Sequence, residues 1–206
     1  DPWFGPIECW EWTIGVYLWG VVYGVRAFLP HLIASGRGHI VNTASMAGLY
    51  AGLSPVYDVT KHGVVALTES LHHAMQMADV GVGVSCLCPG WVRTGILESE
   101  RNWPDELGDL PESGPGAAVS RNHLRRAIDE GMQPAAVADL VVAAIRNDRY
   151  WIFPHPEWVD VAMDRFHRIG DGANPEQPEH FPGMPPRSQI VAEIKAAKEA
   201  AAPQDG

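Results

Sequence analysis

The sequence predicts an α/β fold with a mainly parallel sheet. Apolar strand patterns at 38–44 and 81–88 alternate with helical patterns, and a short third strand pattern, Tyr150–Phe153, follows another helix. At 206 residues the chain is long enough for one ordinary domain with a core of its own.

In chain order, residues 1–10 read as a loop carrying Pro2, Gly5 and Pro6, and a helix is expected over about Glu11–His31. The middle of that helix, Ile14 to Val25, is apolar nearly all round, which predicts burial on both sides. This run is shorter than the roughly 20 residues a bilayer crossing needs, so no membrane association is expected. Gly36-Arg37-Gly38 marks a turn into the first strand. A helix from Tyr57 to about Met77 leads to the second strand. Residues 95–116 are polar and rich in Gly and Pro, an expected lid or substrate loop. An amphipathic helix over 117–130 turns Leu124, Ala127 and Ile128 inward and Arg121, Arg125 and Arg126 outward. Helices at Ala135–Asn147 and Glu157–Ile169 flank the last strand. A proline-rich linker over 171–186 and a loosely held helix over Ser188–Ala202 complete the chain. The organisation expected is 1–170 as part of a catalytic domain, with 95–131 as its lid region, and 171–206 as linker and weak helix.

A formal charge of −10 leaves no basic stripe for phosphates and argues against nucleic acid. Cys9, Cys86 and Cys88 have no metal spacing, and the nine histidines show no paired-ligand pattern, so no metal is expected. Cys86 and Cys88 share one face of a strand and read as reduced residues in or near the core, which suits a cytoplasmic location.

The chemistry-bearing feature is Ser45, Tyr57 and Lys61. A tyrosine and a lysine four residues apart lie one helical turn from each other on one face. A free phenol titrates near ~10. A positive charge about 4 Å away contributes about 4 kcal/mol at an effective dielectric of ~20, enough to bring a phenol toward neutral pH. Ser45 ends the strand pattern twelve residues earlier and is placed to hydrogen-bond a substrate oxygen. Together the three suit proton transfer to or from a carbonyl or alcohol. The plainer readings are a solvated helix face for the Tyr–Lys pair, a turn residue for Ser45 and a helix N-cap for Thr94.

Four motifs in order carry a resemblance: Gly20-Val-Val-Tyr-Gly-Val-Arg-Ala-Phe-Leu-Pro30, His39-Ile-Val-Asn-Thr-Ala-Ser45, Tyr57-Asp-Val-Thr-Lys61 and Pro89-Gly90-Trp-Val-Arg-Thr94. Over about residues 10–160 the chain resembles the short-chain dehydrogenase/reductase family. The resemblance implies a Rossmann-like, doubly wound parallel sheet. It is N-terminally incomplete here, because no G-x-G-x-x-G turn for a pyrophosphate occurs and the family places that turn upstream of the serine. It further implies NAD or NADP as cofactor and a small alcohol or ketone as substrate. Tyr57 is then the general acid or base, Lys61 its partner and a ligand of the nicotinamide ribose, and Ser45 the holder of the substrate oxygen. Pro89 and Gly90 let the backbone approach the nicotinamide, and Val92 and Thr94 contact its carboxamide end. The family's packing of the apolar helix implies a homo-oligomer, dimer or tetramer. One position departs. Val16-Tyr17-Leu18-Trp19-Gly20 stands where the family carries a pattern like Val-Asn-Leu-x-Gly, whose asparagine holds a water that links the lysine to solvent. Tyr17 either supplies a different relay or weakens it. A non-catalytic fragment or pseudoenzyme is the competing expectation.

Overall fold

A computed structural model describes residues 3–52, 54–110 and 113–201. The remaining positions, which touch the expected N-terminal loop, the lid region and the end of the C-terminal helix, lie outside the described residues. The described chain forms two compact units.

The first unit comprises Ile7–Gly90 and Ala135–Pro175. Helix α1 (Ile7–Ile14) passes through a π-helical turn at Gly15–Trp19 into α2 (Gly20–Ser35). Gly36 stops it with φ of 66°, a left-handed conformation that costs glycine little. Strand β1 (Gly38–Thr43) leads through a 3₁₀ turn at Met46–Gly48 to α3 (Pro55–Ala78) and then β2 (Val82–Leu87). Helix α5 (Pro134–Arg146) and strand β3 (Trp151–Ile152) follow α4 of the second unit in the chain, and α6 (Val159–Gly170) follows β3. The sheet order is β1-β2-β3, all parallel, with Gly38 opposite Val82 and Cys86 opposite Trp151. The expected strands and their parallel pairing are therefore present.

β2 is flanked on both sides and is almost wholly buried, as a parallel strand between neighbours should be. β1 pairs on one side only among the described residues and is partly exposed. The core gathers at the C-terminal ends of the strands, where Ala44, Met46, Ala47, Val64, Val84, Cys86 and Cys88 pack. Cys86 and Cys88 are free thiols with sulfurs 3.7 Å apart.

The expectation for the first helix needs correction. It extends through Pro30 over Ile7–Ser35, and no residue in it is fully buried. Tyr23 is 63 % exposed and Phe28 66 % exposed. All-round apolarity shows that a helix needs cover, and the described residues cover this one only in part. At 29 residues it is also long and apolar enough to cross a membrane by length and composition alone, because the helix extends beyond the apolar run that sets the sequence expectation.

The second unit comprises Trp91–Pro134 and Glu176–Gly206 with the N-terminal six residues. Its helix α4 (Pro115–Asp129) buries Ala127 and Ile128 and exposes Arg125 and Arg126, as the periodicity predicts. Helix α7 (Arg187–Ala201) packs on α4 with Ile194 against Gly116, and His123 Nε2 lies 2.6 Å from Glu193 Oε2. The C-terminal helix is thus held in place where a loose one was expected.

Candidate active site

Ser45, Tyr57 and Lys61 come together in the first unit. Ser45 caps the 3₁₀ turn at the end of β1, its Oγ accepting the Ala47 N–H at 3.1 Å. Its own hydroxyl makes only a long 3.4 Å contact to the Pro89 carbonyl and lies in reach of the Tyr57 phenol. The serine hydroxyl thus stands between the Pro89 carbonyl and the Tyr57 phenol. Pro55 at the first turn and Asp58 three residues beyond it start α3, which carries Tyr57 and Lys61. The buried Asp58 carboxylate accepts the Gly52 N–H at 2.8 Å and so pins the loop between Ser45 and Tyr57.

Lys61 is buried, and its Nζ donates to the Thr43 carbonyl at 3.0 Å, which ties α3 to the end of β1. The ammonium lies over two rings, 5.5 Å from the Tyr57 centroid and 5.1 Å from that of Tyr17. The two tyrosines meet edge to face at 5.5 Å. Tyr17 sits within the π-helical turn, a distortion frequent at functional positions.

The electrostatics run against the sequence expectation. Burial pushes the Tyr57 phenol up to about 12; the Ser45 hydroxyl opposes this, and Tyr17 and Asp58 add to it. Burial also pulls Lys61 down to about 8, with the Cys88 and Cys86 sulfurs opposing. The physical reason is desolvation, which disfavours the phenolate of Tyr57 and the ammonium of Lys61 alike.

Pro89 and Gly90 follow β2 beside Ser45. The Pro89 carbonyl accepts the Met46 N–H at 3.0 Å, and the Gly90 N–H donates to His155 Nδ1 at 3.1 Å. A Cβ at Gly90 would come within 2.7 Å of the Trp158 ring, so only glycine fits. Val92 and Thr94 belong to the second unit, where Val92 bridges to Met132. Sequence reasoning missed His155. The only local signal is a polar ring between Pro154 and Pro156 directly after a strand.

A dinucleotide's nicotinamide end fits what is present. Lys61 has three donors, and its one hydrogen bond among the described residues goes to Thr43, which leaves two for a ribose diol. Among the described residues no cluster of His, Cys, Asp or Glu could hold a metal ion.

The model of the short chain dehydrogenase family matches residues 5–105. A CLA biosynthesis dehydrogenase/reductase of Lactiplantibacillus plantarum is 29 % identical over 83 % of this chain and 62 % of its own length. A C alpha-dehydrogenase of Sphingobium sp. is 30 % identical over 84 % of this chain and 57 % of its own. A short chain dehydrogenase/reductase from Burkholderia phymatum, solved in complex with NAD, superposes with a TM-score of 0.82 at 36 % identity, over 87 % of this chain and 65 % of that one. The chain thus spans about three-fifths of the length of these curated relatives. With the parallel sheet and the serine, tyrosine and lysine gathered at its strand ends, these likenesses agree: the chain belongs to the short-chain dehydrogenase/reductase family.

Proposed function

We propose that this chain carries the proton-handling centre of an NAD(P)-dependent oxidoreductase that interconverts a small ketone and alcohol. The observation that carries the reading is the convergence of Ser45, Tyr57 and Lys61 within one unit. A substrate carbonyl oxygen accepts from Ser45 and from Tyr57. Tyr57, held protonated to about 12, is the general acid of the reductive direction. As the proton leaves, the Lys61 ammonium over the ring stabilises the phenolate and, through its two free donors, orients the ribose. The hydride is the chemistry that bound NAD(P)H supplies. The family motif assigns Pro89, Gly90, Val92 and Thr94 to the nicotinamide. The NAD complex of the Burkholderia phymatum relative supports a nicotinamide cofactor.

The exposed aromatic face of Ile7–Ser35 supports a homo-oligomer in which this face is covered.

Tyr57→Phe in the complete gene product tests the assignment. Carbonyl reduction should fall at least about a hundredfold, in line with the loss of a positioned acid, while NADH and NADPH binding stays. Retention of most turnover would show that another group handles the proton. A second reading, a non-catalytic member of the family, is favoured by Tyr17 in the asparagine's place and by the raised phenol. It predicts no saturable NADH or NADPH binding and no turnover in the wild type.

A further inference from the structure

The β2–β3 ladder ends in a side chain. Cys86 N–H donates to the Tyr150 carbonyl at 2.7 Å and Cys88 N–H to the Ile152 carbonyl at 2.9 Å. By that register the next donor, Gly90, would reach the carbonyl of Pro154. Pro154 and Pro156 turn the chain out of the strand, and the Gly90 N–H instead finds His155 Nδ1 at 3.1 Å. The same peptide group is gripped at its other end, because its Pro89 carbonyl accepts the N–H of Met46, the residue after Ser45, at 3.0 Å and the Ser45 hydroxyl at 3.4 Å. Trp158, buried and 6.0 Å from the His155 ring, lies against Gly90, where an added Cβ would come within 2.7 Å of its indole.

We propose that His155 is a positioning residue for the reaction: as the acceptor of the Gly90 N–H, it fixes the Pro89–Gly90 peptide and through it the Ser45 turn. To accept at Nδ1, its imidazole must be neutral with the proton on Nε2. The peptide dipole then points its carbonyl squarely at Met46 and Ser45. Removing the acceptor orphans a partly buried N–H, and the peptide gains freedom to rotate, which carries the Ser45 oxygen away from Tyr57.

This inference rests on the oxidoreductase reading, and its test separates the two. His155→Phe keeps the ring and removes the acceptor; His155→Asn restores an acceptor where Nδ1 stood. In the complete gene product, His155→Phe should lower kcat about tenfold to a hundredfold with a much smaller change in KM, as losses of supporting hydrogen bonds do. His155→Asn should stay close to wild type. Amide hydrogen exchange read by NMR needs no turnover: Gly90 should be protected in wild type and His155→Asn and exchange rapidly in His155→Phe, with Cys88 protected in all three. Equal protection of Gly90 in all three proteins would overturn the assignment, as would wild-type kcat in His155→Phe. A wild type without turnover would count against the oxidoreductase reading alone, and the exchange comparison would still decide the role of His155.

Discussion

Two long helices in this chain are treated by the fold in opposite ways. Helix α3, 24 residues, buries seven side chains, four of them polar or charged: Asp58, Thr60, Lys61 and Thr68. The helix over Ile7–Ser35, 29 residues, buries none completely and exposes Tyr23 and Phe28 to solvent. A stable interior is expected to hide apolar groups and leave ammonium groups wet. α3 hides an ammonium because Thr43, two ring faces and two sulfurs surround it, while the first helix leaves Tyr23 and Phe28 about two-thirds exposed among the described residues. The difference separates burial that builds a site from exposure that asks for another surface.

The largest expected effect tests the cost of burying Lys61. Its amine is pulled down to about 8 from 10.5, so between these pH values the unfolded chain holds a proton that the folded chain has lost. Stability should therefore rise with pH across this window, by about 3 kcal/mol if the group is fully desolvated. Above pH 10 the raised phenol of Tyr57 acts in the opposite sense, since the folded chain then keeps the extra proton. Denaturant melts of wild type and Lys61→Met between pH 7 and 10 isolate the lysine, and parallel pH profiles for the two proteins would refute a buried, poorly solvated amine.

Next in size is a pair of truncations that sets the two helices side by side. Val64→Ala removes two methyl groups from a position with 0 % exposure and should cost about 2 kcal/mol. Phe28→Ala, at a position two-thirds exposed, should change the stability of an isolated protomer by no more than about 0.5 kcal/mol. If Phe28→Ala costs as much as Val64→Ala at micromolar protein, and the loss shrinks on dilution, the first helix is covered by another chain. Sedimentation velocity across a dilution series reads this directly.

Much of the site is legible in the sequence, and the reason is local. Tyr57 and Lys61 share a helix turn, Ser45 ends a strand, and the Pro89–Gly90 step ends the next strand. Parallel strands necessarily bring such ends to one edge of the sheet. The strands themselves and the helix α4 face follow from periodicity in the same way. What the sequence withholds is set by contacts between distant segments. His155 lies 65 positions from Gly90, and no spacing announces that its ring replaces a backbone carbonyl. The upward push on Tyr57 depends on how thoroughly distant segments bury its phenol. The exposure of Tyr23 and Phe28 likewise depends on which other described elements pack on Ile7–Ser35.

The smallest expected effect concerns Tyr17, where the two helices touch. Its ring shares the Lys61 ammonium with Tyr57, and its hydroxyl, if ionised, would repel the Tyr57 phenolate, which adds to the upward push on that phenol. Tyr17→Asn removes the second ring and leaves space that a water can fill beside the amine, with an amide to hold it. The Tyr57 phenol should then titrate lower, and alcohol oxidation, which needs the phenolate, should reach its plateau at a lower pH. Carbonyl reduction at neutral pH should not fall. The readout is the pH profile of kcat in both directions. A large loss of reduction with an unshifted oxidation profile would mean that the Tyr17 ring itself holds Lys61 in place, and that the aromatic sandwich, rather than a water, is how this chain keeps its buried amine charged.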